Sequence, residues 1–204
     1  MDEAVLINAK NYLAQTAEVM TAALNDRPFM ESLALATAAI SAAFQAGNKV
    51  LLAGNGGSAG DAQHIAGEFL SRLNFDRAPL PAIALTTDSS VLTAVGNDYG
   101  YEHVFERQVR GLGKAGDVFI GISTSGRSPN IVKALEAARL QGMVTIGFCG
   151  TDPRLMSSLC DITVRAPSSE TPLIQQVHIV AAHIICGEVE RLIFGDQDSP
   201  ANGQ

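Results

Sequence analysis

His64 and Glu68 stand four residues apart in Ala62-Gln63-His64-Ile65-Ala66-Gly67-Glu68. On a helix that spacing puts an imidazole and a carboxylate on one face. The same spacing also describes an ordinary solvated surface pair. A second apolar stretch, Thr171 to Phe194, carries Gln175, Gln176, His178 and His183. His64, Glu68, Gln175 and His183 together offer nitrogen and oxygen donors to a divalent metal, and zinc suits that set best. Gln175 and His183 are eight residues apart, which is about 12 Å of rise on a straight helix. Sharing one ion therefore requires inward reach, an irregular helix start, or ligands from two chains. His183 lies in Ile179-Val180-Ala181-Ala182-His183-Ile184-Ile185. That setting predicts a buried imidazole in need of a partner.

Two loops are suited to an anion or a sugar. In Ser123-Thr124-Ser125-Gly126-Arg127-Ser128, four hydroxyls occur within six residues. The turn follows an apolar run and precedes Pro129, a residue tolerated in the first turn of a helix. Backbone amides and a helix N-terminus there can receive a phosphate. Ordinary helix capping accounts for one such hydroxyl but not for four. The other loop is Gly54-Asn55-Gly56-Gly57-Ser58. Gly54, Gly56 and Ala59 match a loose G-x-G-x-x-A dinucleotide pattern, with Asp76 downstream. No Gly-Lys-Ser/Thr follows, so it is not a Walker loop. The alternative is that Asn55, Gly56 and Gly57 bring backbone and amide groups close to a polar sugar.

These loops need elements to hold them. Residues 2 to about 24 and about 28 to 47 read as two amphipathic helices, broken near Asn25-Asp26-Arg27-Pro28. Short apolar runs at Lys49–Ala53, Ala82–Leu85, Asp117–Ile122, Met143–Phe148 and Asp161–Val164 read as buried strands. Helices are expected over about 59–72, after the Asp88 cap, after Pro129, and over 171–194. Strands alternating with helices predict an α/β fold: a doubly wound, parallel, five-stranded sheet in a flavodoxin-like three-layer sandwich. Ligands bind at the C-terminal strand ends of such sheets, where both loops fall. The division expected is 1–47 as helices for oligomer packing, 48–197 as the phosphosugar-binding domain, and 198–204 as a disordered tail.

Composition narrows the classes. The chain has 204 residues, a formal net charge of -7 and no cluster of Lys or Arg. That argues against nucleic acid and against anionic membrane surfaces. No apolar stretch is long enough to span a bilayer, and the start Met1-Asp2-Glu3-Ala4 does not read as a signal peptide. Three cysteines without a C-x-x-C fit free thiols in a reducing compartment. A cytoplasmic protein is expected.

Four segments carry a family likeness: Ala53-Gly54-Asn55-Gly56-Gly57-Ser58-Ala59-Gly60-Asp61-Ala62-Gln63-His64, Val95-Gly96-Asn97-Asp98-Tyr99-Gly100, Gly121-Ile122-Ser123-Thr124-Ser125-Gly126, and Glu170-Thr171-Pro172-Leu173-Ile174-Gln175-Gln176-Val177-His178. With them the chain resembles the sugar isomerase (SIS) domain family, and within it the bacterial sedoheptulose 7-phosphate isomerases. The likeness runs from about residue 5 to Gly195. It implies a cytoplasmic homotetramer with active sites at subunit contacts. It implies one zinc ion per subunit on His64, Glu68, Gln175 and His183. It implies substrate contacts from Asn55, Gly56, Gly57, Glu68, Asn97, Asp98, Ser123, Thr124, Ser125, Ser128 and Gln175. The reaction implied converts sedoheptulose 7-phosphate to D-glycero-D-manno-heptose 7-phosphate, a precursor of lipopolysaccharide core or other surface carbohydrate. Such a reaction needs a base for carbon-bound protons, for which Glu68 is the candidate, and an acid for oxygen protons, for which His183 is the candidate. The alternative is a non-catalytic relative that binds the replication initiator protein. In that relative the positions matching Glu68 and His183 are not acid–base residues; here both are present.

Overall fold

The computed structural model describes residues 2–195. Two helices open the chain, α1 (Glu3–Asn25) and α2 (Arg27–Gln45). Each is started by an aspartate whose carboxylate accepts a first-turn amide: Asp2 from Ala4 and Asp26 from Phe29. Alternating units follow: β1 (Val50–Gly54), α3 (Gly57–Leu70), β2 (Ala82–Ala84), α4 (Ser89–Tyr99), α5 (Glu106–Leu112), β3 (Val118–Ile122), α6 (Pro129–Leu140), β4 (Val144–Cys149), α7 (Met156–Leu159), β5 (Ile162–Arg165) and α8 (Thr171–Phe194). A single 3₁₀ turn, Tyr101–His103, links α4 to α5.

The five strands form one parallel sheet in the order β2-β1-β3-β4-β5. This is the doubly wound order with its reversal between β1 and β3. Both central strands are apolar on both faces because both faces are covered. Val50, Leu52, Val118, Ile120 and Ile122 point into one core with α2, α3 and α8. Leu51, Ala53 and Phe119 point into the other with α4, α5, α6 and α7. The expected sandwich is therefore present. However, α2 is part of it: Ala36 and Ile40 are fully buried in the first core. Only α1 lies mostly outside, with Val5, Leu6, Ile7 and Leu13 exposed. The expected tail, 198–204, lies outside the described residues.

Two elements lie beyond the sequence reading, α5 and α7. Both are short, seven and four residues, and neither shows enough turns for a helical period to register. Among the described residues no helix is long and apolar enough to cross a membrane. All three cysteines are free. Burial pushes the Cys149 and Cys160 thiols up to about 12, so neither supplies a ready thiolate.

His178 belongs to the core, not to a site. It is buried, its Nε2 donates to the Cys149 carbonyl at 3.0 Å, and its ring meets Phe148 edge-on. Nδ1 has no partner. Burial lowers its pKa to about 4, partly opposed by the carbonyl contact. The unfolded chain takes up this proton near pH 6.5 and the folded chain only near 4, so stability falls as pH drops through that window. The full difference is about 3 kcal/mol. Denaturant titrations between pH 7 and 4 should show this loss in the parent and a shallower slope in His178→Gln. Identical slopes in the two proteins would contradict the assignment.

Candidate functional site

The parallel register pairs Gly54 of β1 with Ile122 of β3, so the chains leaving these strands start side by side. The β1 exit is the glycine loop, where Gly56 has φ +55°. The β3 exit is the serine turn. Ser123 donates its amide to the Phe148 carbonyl of β4, and Gly126 closes the turn back onto the Ser123 carbonyl. Gly126 has φ +63°, and a Cβ there would sit 2.6 Å from the Pro153 carbonyl oxygen. The turn thus requires glycine on both conformational and steric grounds.

Ser128 is the N-cap residue of α6, yet its side chain caps nothing. Its hydroxyl instead meets that of Ser123 at 2.9 Å. The first amides of α6 are left without a side-chain acceptor, as an anion site needs. Among the described residues, the hydroxyls of Thr124 and Ser125 form no hydrogen bond. Beside the turn lies a cavity of about 630 Å³ lined by Asn55, Tyr101, Glu102, Ser128, Asn130 and Lys133. That volume suits a small-molecule ligand.

Beside Asn55, which the sequence already marks, the cavity exposes residues that sequence reading misses. Asn55 and Asn130 exchange reciprocal amide hydrogen bonds of 2.9 and 2.8 Å, tying the glycine loop to α6. Tyr101 adds its hydroxyl to Asn55 Oδ1 at 3.3 Å. Lys133 is the cation at the wall. An Asn in a first helical turn is commonplace, so only its position behind the serine turn could have marked Asn130. Asn97 and Asp98 end α4, exposed, with the Asn97 amide donating to Asp98 at 2.7 Å. The backbone then turns through Gly100 to place Tyr101, not Asn97 or Asp98, at the cavity wall.

The second cluster lies on α3 and α8, which pack against each other on one face of the sheet. His64 Nε2 lies 3.2 Å from Glu68 Oε1 and 2.8 Å from His183 Nε2. One ligand atom from each of the three side chains fits within 4.8 Å of the others. Two ring nitrogens facing each other so closely need a proton or a cation between them. Two imidazoles and one carboxylate are a donor set that zinc accepts. The three residues thus fit a divalent ion.

His183 is exposed, contrary to the burial its apolar neighbours suggest. The reason is helical period: Ala181, Ala182 and Ile185 face the core, while Val180, His183 and Ile184 form an outward stripe. Gln175 is not brought to this cluster within one chain. Helix α8 is unbroken from Thr171, so Gln175 lies about 12 Å of rise from His183. Its amide instead lies over Gly57, where a Cβ would come within 2.5 Å of its Nε2. Gln175 therefore sits at the glycine-loop end of the site.

Comparison with known proteins matches this architecture. The SIS domain family matches residues 11–150, a span that begins inside α1 and covers both loops. A phosphoheptose isomerase of Burkholderia pseudomallei (strain 1710b) is 53% identical over 197 residues, covering 97% of this chain and 100% of that protein. One from Aneurinibacillus thermoaerophilus is 54% identical over 186 residues, covering 91% of this chain and 93% of that protein. The solved phosphoheptose isomerase GmhA from Neisseria gonorrhoeae superposes with a TM-score of 0.86 at 37% identity, covering 91% of this chain and 98% of that one. On sequence identity and superposed fold together, the chain belongs to the SIS domain family, among its phosphoheptose isomerases.

Proposed function

We propose that this chain is an aldose–ketose isomerase that converts D-sedoheptulose 7-phosphate to D-glycero-D-manno-heptose 7-phosphate. The observation that carries this is the meeting of Glu68 and His183, from separate helices, within 4.8 Å of one another and of His64. The serine turn and the α6 N-terminus hold the phosphate, with Ser123, Thr124, Ser125 and Ser128 as donors. Asn55, Gly56 and Gly57 line the sugar, with Tyr101 at the cavity wall in place of Asn97 and Asp98. Glu68 removes the pro-aldehydic proton from C1 and returns it to C2 through a cis-enediol. His183 moves the matching protons on the C1 and C2 oxygens. His183 is exposed and Glu68 half-buried, which opens both to a substrate.

His64, Glu68 and His183 would hold one zinc ion per subunit, which when bound supplies Lewis-acid polarisation of the sugar oxygens. Gln175 joins them as a fourth ligand if it comes from a second chain. The outward stripe of Val180 and Ile184 supports such an assembly, because it leaves apolar surface beside His183. So does the apolar groove formed there by Met30, Leu33, Ala34, Ile184 and Leu192. We therefore take the active form to be a cytoplasmic homotetramer with sites at subunit contacts, its product feeding lipopolysaccharide or another surface carbohydrate. The non-catalytic reading is not favoured, since both acid–base side chains are present and adjacent.

Two substitutions separate binding from chemistry. Glu68→Gln should lower kcat by roughly 10³-fold while calorimetry finds sugar phosphate affinity within about threefold of the parent. Near-normal turnover would rule out Glu68 as the base. Gly126→Ala forces a strained φ costing about 1–3 kcal/mol and a clash with Pro153. It should raise KM at least tenfold with a smaller change in kcat. An unchanged KM would remove the serine turn from phosphate binding.

A further inference from the structure

The chemistry depends on how α3 and α8 are aligned along their axes. Apolar packing holds the two helices together but resists sliding weakly. A buried ion pair lies two helical turns beyond the cluster. Glu190 of α8 is fully buried and accepts the Leu73 amide at 3.1 Å, the Asn74 amide at 2.8 Å and Arg77 Nε at 3.0 Å. Arg77 is itself almost wholly buried, with Phe194 stacked 5.7 Å from its guanidinium carbon. Its remaining donors reach the end of α3. Nη1 donates to the Phe69 and Ala78 carbonyls, and Nη2 donates to the carbonyl of Glu68 itself, at 2.8 Å.

Four of the five guanidinium N–H groups are therefore in use. The cation also sits on the negative end of the α3 dipole. Burial by itself would raise the Glu190 pKa, but the two amides and Arg77 outweigh it and hold the carboxyl below its ordinary value. Two desolvated charges are a costly way to gain stability alone, since an apolar pair of equal volume often does as well. A planar fork that links one carboxylate on α8 to three carbonyls at and beyond the end of α3 does something an apolar pair cannot: it fixes register.

We propose that Arg77 and Glu190 are positioning residues for the isomerisation, setting the backbone of Glu68 against His183. This rests on the assignment of Glu68 and His183 above. The phosphate end of the site is at the opposite end of α3, beyond Gly57. Loss of the pair therefore moves the reacting groups and leaves the anchor in place. Lysine cannot replace the arginine, because a point-charge ammonium cannot span the carboxylate and the carbonyls together.

The test is steady-state kinetics on sedoheptulose 7-phosphate with Arg77→Lys, Arg77→Ala and Glu190→Gln. Rates are expressed per folded molecule and taken well below each variant's own melting midpoint. Expected is a kcat lower by about 10- to 100-fold, with KM within about twofold of the parent. Arg77→Lys should restore melting temperature more than it restores kcat. Should Arg77→Ala fail to fold, the Lys and Gln variants carry the comparison, since both keep volume. A kcat within about twofold of the parent, with only the melting midpoint moved, would overturn the proposal. Full turnover in a parallel Glu68→Gln variant would overturn the base assignment, and the proposal with it.

Discussion

Parallel pairing of β1 with β3 is the constraint on which the rest of the molecule depends. Because Gly54 lies opposite Ile122, the glycine loop and the serine turn emerge at one level with helices diverging on either side. The crevice between them is a consequence of strand order and needs no special loop length. The other end of the pair is clamped as well. The buried Asp117 carboxylate accepts the Lys49 and Lys114 amides at 3.0 and 2.9 Å and the Lys49 ammonium at 2.5 Å. This interaction prevents the two strands from slipping, and a slip would separate the loops.

From that crevice the site extends in two directions with different physics. Toward α6, the candidate anion site offers mostly neutral dipoles, namely hydroxyls, backbone amides and the reciprocal Asn55–Asn130 pair, with Lys133 as the cation at the wall. Such groups can receive an anion even in a chain of net charge -7 that has no basic patch. Along α3 toward α8, the groups are titratable, and their usefulness depends on separations of a few ångströms. Gln175 over Gly57 marks the junction of the two halves. In the function proposed, the charged end of a seven-carbon sugar phosphate faces the serine turn and its carbonyl end faces Glu68 and His183.

Much of this was readable from residues alone, and the exceptions share one cause. The strands, the serine turn and α8 declare themselves through local pattern, and α8 runs over Thr171–Phe194 as its periodicity indicates. His64 and Glu68 are legible because four residues of helix put them on one face. Asn130, Tyr101, Arg77 and Glu190 are not, because each acts through a partner 46 to 113 positions away. His183 misleads for a subtler reason: its neighbours are apolar on all sides of the sequence, but only one side of the helix meets the sheet. The separation of Gln175 from His183, by contrast, follows from helical rise before any coordinates are known.

In the function proposed, the serine turn anchors a phosphate so that Glu68 and His183 can isomerise the far end of the sugar. That function is tested most directly by NMR of the products formed from sedoheptulose 7-phosphate and, in parallel, from sedoheptulose without its phosphate. Expected are signals of the aldose 7-phosphate from the first substrate and none at matched enzyme concentration from the second. Equal conversion of both sugars, or no aldose from the phosphorylated one, would contradict it.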